Sequence, residues 1–281
     1  MSERVEVAKT YKLFIGGAFP RSESGRTHPV RDRRDRLVAH VAWASRKDLR
    51  DAVRAARAAQ AAWAGRTAYN RAQIVYRIAE VLEGRRDQFE AELRVGGMTS
   101  RAARANLDAA IDGSVYWAGF ADKLEQLAGG VNPVAGPFLN VSQTIPLGVC
   151  GLACPDDGGV SGMLGLVCPA LAAGNAVVAV AGGRSALVSS TLGEVLATSD
   201  VPAGVANVLT GDHAALLGWL VDHADVDMVD LTGAPADSRA DLEARTAENL
   251  TRWAATGGAE HLGTIMEFRD VRTVWHPARI L

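Results

Sequence analysis

Cysteine is scarce in this chain, with three residues in 281, at positions 150, 154 and 168. An odd and sparse count fits a reducing compartment better than a disulfide framework, so a cytoplasmic location is expected. Long apolar runs are lacking too. The nearest approach, Val160 to Val180, is interrupted by glycines, Ser161, Pro169 and Asn175, so the pattern excludes a membrane-spanning helix. Met1-Ser-Glu-Arg-Val-Glu-Val-Ala-Lys9 has no apolar core of the kind a signal peptide needs. There is no excess of either charge: 30 basic residues against 32 acidic give −2, which leaves no electrostatic footprint for nucleic acid or a membrane surface. The six histidines, at 28, 40, 213, 223, 261 and 276, show no metal-ligand spacing. What is present, 48% hydrophobic and 22% charged residues, is the composition of a globular protein large enough for one or two domains.

The elements follow from periodicity. Lys12-Leu-Phe-Ile-Gly-Gly-Ala-Phe19 reads as a hairpin about a Gly-Gly turn. Ser45-Arg-Lys-Asp48 reads as a capping box opening a helix, with Leu49, Val53, Ala56, Ala59 and Trp63 on one face. A second helix from Arg71 turns Ile74, Ile78, Val81 and Leu82 inward, and a third, over 101–127, does the same with Leu107, Ile111, Val115 and Leu124. Pro133 and Gly136 punctuate an alternating stretch from Val131 to Thr144, which reads as a hairpin arm outside the core. From Leu147 short apolar runs alternate with helices. Strands are expected at 149–153, 176–181, 205–209 and 226–231, and helices at 161–173, 185–198, 213–223 and 237–255. That succession demands right-handed crossovers and a parallel sheet covered on both faces. The fold class is therefore α/β, a doubly wound Rossmann-like sheet with N-terminal helices and a small β arm. A last strand is expected within the tail from Thr264, around Phe268, Val271, Val274 and Trp275.

Several phrases, in order, resemble the aldehyde dehydrogenase superfamily. They are Phe14-Ile-Gly-Gly17, the Ala52–Trp63 helix, Pro146-Leu-Gly-Val149, Pro169-Ala-Leu-Ala-Ala-Gly-Asn-Ala-Val-Val178, Val201-Pro-Ala-Gly-Val-Ala-Asn-Val-Leu-Thr-Gly211 and Val226-Asp-Met-Val-Asp-Leu-Thr-Gly233. The resemblance implies a cofactor domain that binds NAD(P) without G-x-G-x-x-G, a motif also absent here, together with an arm that joins subunits. Domains are then expected as an N-terminal helical part (1–129), a hairpin arm (130–147), Rossmann-like βα units (148–256) and a C-terminal oligomerisation strand (257–281). Met266–Trp275 is similar to the family's last strand. The family's catalytic segments, resembling E-L-G-G-K and G-Q-x-C, are expected to be missing after Gly233. Loss of that segment predicts an exposed sheet edge and apolar flank beside the last strand of the Rossmann unit.

The candidate site residues are those matching the family's cofactor positions. Pro155-Asp-Asp157 stands where the family shows Pro-Trp-Asn, and an ionised Asp157 has no donor for an oxyanion. An alternative is a catalytic pair of Asp156 and Asp157. Val180-Ala-Gly-Gly183 replaces Lys-Pro-Ser-Glu, so Val180 and Gly183 remove the ribose-gripping ammonium and carboxylate, while Arg184 is either a 2′-phosphate ligand or a plain exposed arginine. Gly211, Thr232 and Gly233 complete the vestigial set. Gly233-Ala-Pro-Ala-Asp-Ser238 stands for Gly-Ser-Thr-x-x-Gly, with Asp237 adding negative charge beside the phosphate position. Cys150 and Cys168 read as core residues. Cys154, at the mouth of the first strand, reads as packing or as an atypical nucleophile. No catalytic residue and no metal ligand is assigned, and no cofactor or only weak NAD(P) binding is expected. The reading is an aldehyde dehydrogenase-like pseudoenzyme that pairs through 131–144 and 266–275, with itself or with a full-length aldehyde dehydrogenase. The alternatives are a surviving NAD(P)-dependent oxidoreductase acting on aldehydes, and a nucleotide or metabolite binding module.

Overall fold

The computed structural model describes residues 7–277. Residues 1–6, on which most of the leader reading rests, and 278–281 lie outside that range. The chain opens with β1 (Lys9–Tyr11), β2 (Thr27–Arg31) and β3 (Leu37–Ala42), a small sheet in the order β1-β3-β2. The hairpin expected over Lys12–Phe19 shrinks to a single bridge between Ile15 and Ala18, because Phe14 instead bridges to Val208 of the main sheet. Gly16 and Gly17 still make the turn, at φ +61° and +78°, a conformation closed to most side chains.

The helical section follows. In α1 (Arg46–Ala64) the capping box of Ser45 and Asp48 is present on both sides. Its inner face buries Leu49, Val53, Ala56 and Trp63, with Ala59 half-buried beside them. The Trp63 indole N–H donates to the Leu171 carbonyl at 3.1 Å, so this large ring enters the core with its one polar group satisfied. Next come α2 (Ala68–Gly84), α3 (Arg86–Val95), α4 (Ser100–Phe120) and α5 (Leu124–Ala128). α3, with Phe89 and Leu93 buried, is absent from the sequence reading. The single helix expected over 101–127 breaks after Phe120. Val115 is exposed rather than inward, because α4 presents Leu107, Ala110, Ser114, Trp117 and Ala118 to the core instead. The arm consists of β4 (Gly130–Asn132) antiparallel to β5 (Phe138–Pro146).

The Rossmann-like part is β6 (Val149–Ala153), α6 (Ser161–Ala172), β7 (Ala176–Ala181), α7 (Ala186–Ala197), β8 (Ala206–Thr210), α8 (His213–Val221), β9 (Met228–Asp230), α9 (Arg239–Thr246) and β10 (Arg252–Ala254). Its five strands are all parallel, in the order β10-β9-β6-β7-β8. Every residue of β6, β7 and β8 is buried, as a sheet covered on both faces requires. One face packs on α2, α3, α4, α6 and α7, and the other on α1 and α8. Two expectations fail here together. The helix foreseen over 237–255 stops at Thr246, and the chain re-enters the sheet as β10. That strand occupies the edge beside β9 which the sequence reading left bare.

From β10 the chain passes through α10 (Leu262–Met266) into β11 (Arg269–Pro277), which pairs with β5 along nine residues, Arg269 with Pro146 through Pro277 with Phe138. The expected terminal strand therefore begins three residues later than Met266 and is anchored by its first residue. Arg269 is buried, and its guanidinium donates to the Ala173 carbonyl (2.7 Å), Thr144 Oγ1 (2.6 Å) and Glu125 Oε1 (2.8 Å). No described helix is long and apolar enough to cross a membrane.

Candidate cofactor cleft

In an open parallel sheet, ligands bind outside the carboxyl ends of the strands. Five loops meet there in this chain, and each is held by contacts that the local sequence supplies. After β6, Pro155 and Asp156 are half-buried and Asp157 is exposed. Asp156 turns toward β7: its carboxylate accepts from the Ser185 backbone N–H at 2.9 Å and lies in the space that a side chain on Gly182 would fill. Asp157 accepts from its own Gly159 N–H at 2.7 Å. The two carboxylates thus diverge, and the alternative of a catalytic pair has no geometry behind it.

The amino end of α6, the helix that faces this cleft, is already capped. Asn106 of α4 accepts from the Val160 and Ser161 backbone N–H groups at 2.9 and 3.2 Å and donates to Ser161 Oγ at 2.7 Å. Sequence reasoning missed Asn106, because nothing in its neighbourhood marks a residue that serves a helix starting 55 positions away.

Along the loop after β7, Val180 is fully buried in its strand, and Gly183 lies beside the stacked pair of His28 and Trp43. Ser185 fastens this loop to the first by donating to the Pro155 carbonyl (3.2 Å) and accepting from the Gly158 N–H (3.1 Å). After β8, Gly211 is buried, and the neighbouring Thr210 Oγ1 donates to Ala42 of β3 at 2.7 Å. At the start of α8, His213 is held toward its neutral form by burial, which outweighs the opposing charge of Asp156.

After β9, Gly233 lies directly on the Cys154 carbonyl, leaving no room for a β-carbon, and its N–H donates to the Ala153 carbonyl at 2.8 Å. Arg239 closes the turn by donating to the Leu231 and Thr232 carbonyls at 3.0 and 3.1 Å. The fully buried Asp230 gathers the last two loops: it accepts from the Thr232 N–H (2.8 Å) and from Thr256 Oγ1 (2.6 Å), and Thr232 Oγ1 accepts from the Gly257 N–H at 2.9 Å. The structure thus brings Pro155, Gly183, Gly211, Thr232 and Gly233 to one end of the sheet. It turns Val180 into the core and Asp157 onto its own loop.

Nucleophiles are withheld from the cleft. Cys154 is 1% exposed, and burial, with Asp230 nearby, pushes its thiol far above the ordinary value. Burial raises Cys150 likewise and Cys168 to about 12. Among the described residues, no group of His, Cys, Asp and Glu is arranged to hold a metal ion.

The sequence model of the aldehyde dehydrogenase family matches residues 19–277. The chain belongs to that family. It is 36% identical over 258 residues to a 2-hydroxymuconic semialdehyde dehydrogenase from Pseudomonas sp. (strain CF600), covering 89% of this chain and 51% of the relative. It is 30% identical to a cytosolic aldehyde dehydrogenase 1 from Elephantulus edwardii, covering 89% of this chain and 50% of the relative. Among solved structures, HpcC from Thermus thermophilus superposes with a TM-score of 0.82 at 27% identity, over 87% of this chain and 47% of that one. The NAD+ complex of an aldehyde dehydrogenase from Bacillus cereus gives 0.81 at 25% identity, over 87% and 50%. The chain spans about half the length of the relatives it matches.

Directly after β10 the chain reads Ala255-Thr-Gly-Gly-Ala259, which has the paired glycines of the family's E-L-G-G-K phrase but neither its glutamate nor its lysine. Matching the two glycines sets Ala255 in the place of the phrase's glutamate. The paired glycines behind Trp253 were the available signal.

Proposed function

We propose that this chain is a pseudoenzyme of the aldehyde dehydrogenase family, a structural or regulatory subunit that assembles through its arm with a second copy or with a full-length aldehyde dehydrogenase. One observation carries the reading. Residues 255–268 lead from the cofactor-type sheet straight into β11, which is already paired to the arm, so no catalytic domain intervenes between sheet and arm. The side chains that remain agree with it. Ala255 has no basic group for general-base work, and among the described residues no accessible thiol stands at the cleft. Asp157 brings a carboxylate where the family's asparagine would donate to an oxyanion.

The cleft's fit to NAD(P) points the same way. The relatives' cofactor would need donors and an acceptor for the ribose at Val180 and Gly183, yet one is buried in its strand and the other has no side chain. Asp156 fills the space over Gly182, and Asp237 brings a negative charge to the turn before α9 that stands in the phosphate-binding position. These residues do not fit the dinucleotide. A cytoplasmic location belongs to the same proposal.

Calorimetric titration with NAD+ and NADP+, followed by aldehyde oxidation assays on wild type and Cys154→Ser, tests this. The expected result is no saturable binding at millimolar cofactor and no turnover. Cofactor-dependent oxidation abolished by Cys154→Ser would overturn it in favour of a surviving oxidoreductase.

A further inference from the structure

Away from the cleft, the charge of this nearly neutral chain is unevenly spread. The β2–β3 turn reads Arg31-Asp-Arg-Arg-Asp-Arg36, and it faces the junction of α3 and α4 across a groove of about 560 Å³. Arg33, Arg34 and Arg36 line one wall and Arg94 the other, with Asp32 the single carboxylate of the lining. Asp32 is committed. It accepts from the Arg34 and Arg36 backbone N–H groups at 2.8 and 3.0 Å and from the Arg36 guanidinium at 2.9 Å, so it builds the turn and neutralises Arg36. Arg33 ties the two walls together by donating to the Gly97 carbonyl. The guanidinium groups of Arg34 and Arg94 have no acidic or hydrogen-bonding partner among the described residues, although both are exposed and face the same space.

The rest of the lining limits what fits. Ala91, Val95 and Met98 supply apolar surface, and Thr99 and Ser100 bring the start of the 21-residue α4 to the far end. There the Thr99 hydroxyl already caps the Ala102 N–H at 3.2 Å, while the Ser100 hydroxyl has no partner among the described residues. Planar guanidinium forks recognise phosphate oxygens in pairs, and a helix start adds to the attraction of an anion. A volume of this size suits a small metabolite rather than a polymer.

We propose that this groove binds a phosphorylated small metabolite, with the phosphate or diphosphate held between Arg34 and Arg94 and a short carbon skeleton on Val95 and Met98. Arg33 acts as a positioning residue that fixes the separation of the walls. The groove shares no lining residue with the Rossmann cleft, although Gly96, between Val95 and Met98, packs against Gly158 and Arg184 of the cleft loops.

Titration of the full chain with pyrophosphate and with glycerol 3-phosphate, followed by calorimetry and thermal shift, tests the assignment. Saturable binding is expected, weakened about tenfold by Arg34→Ala and by Arg94→Ala, the loss of one charge-assisted contact in each. Arg94→Lys, which keeps the charge but not the fork, is expected to fall between wild type and Arg94→Ala. Arg54→Ala, an exposed residue of α1 on the other face of the sheet, is expected to leave binding unchanged. Both alanine variants remove exposed side chains without partners among the described residues, so unaltered melting in buffer alone serves as the folding control. No binding at millimolar pyrophosphate, equal weakening by Arg54→Ala, or tighter capture of a single-stranded oligonucleotide than of either small probe would each overturn the proposal.

Discussion

At the scale of single residues, a handful of side chains hold the loops around the cleft together. Asp156 and Asn106 satisfy backbone N–H groups that the fold leaves without partners, and Gly233 lets two strand ends touch. Another residue carries a measurable cost. Glu92, on α3, accepts from Tyr11 at 3.2 Å and Gln88 at 3.0 Å through one carboxylate oxygen, while its other oxygen is buried without a partner among the described residues. Burial raises its pKa above the ordinary 4.5. A carboxyl with a raised folded pKa favours the native state when protonated, so its contribution declines as pH rises from 4.5 through the folded value. Glu92→Gln is therefore expected to be more stable than wild type at about pH 7 and to lose that advantage toward about pH 4. Urea unfolding at the two pH values checks it, and an advantage independent of pH would refute the assignment. The local substitutions Val180, Gly183 and Asp157 were legible in the sequence, since each replaces a neighbour-independent phrase. The partners of Asp156 and Asn106 were not, because they lie 29 and about 55 positions away and depend on the loops being folded.

Among the elements, what was legible tracks length and burial. The fully buried β6, β7 and β8, with α6 and α7 between them, were read within a residue or so, because apolar runs bounded by Gly and Asn leave little choice. α3 went unseen because only Phe89, Glu92 and Leu93 of its ten residues are buried, too few to set a period. β10 is three residues long with two exposed, so its place at the sheet edge comes from pairing with β9 and not from its own pattern. β11 illustrates a different dependence, since its docking rests on Arg269. Removing that guanidinium would strand the Ala173 carbonyl and Thr144 in a buried corner and free the exposed Glu125 carboxylate to water. Arg269→Met is expected to cost about 3 kcal/mol, in the range for breaking one side of a buried polar network. Chemical denaturation measures this, and a loss below about 1 kcal/mol would mean that the strand docks mainly through its backbone.

For the molecule as a whole, the arm carries a contiguous set of exposed apolar residues. Val131, Phe138, Leu139, Val271, Val274 and Trp275 are all more than 40% exposed, and Trp275 meets Phe138 edge to face with ring centres 5.9 Å apart. β11 is also an edge strand, with eight consecutive exposed residues and one side of its backbone ladder unpaired in the described chain. If the arm is the assembly element, Val274→Lys with Trp275→Lys should convert the wild-type oligomer to monomer in mass photometry without lowering the melting temperature. A wild type that is already monomeric and ignores a full-length aldehyde dehydrogenase would remove the assembly role.

The pairing of β11 with β5 also sets an order in time. β5 and its edge leave the ribosome first, and the whole Rossmann unit must be synthesised before the strand that covers that edge exists. Their contacts span more than a hundred residues, the kind of long-range closure that forms late and slowly. The nascent chain therefore holds an unguarded arm while the strands and helices of the Rossmann unit are being made. Whatever meets β5 in that interval competes with the protein's own last strand.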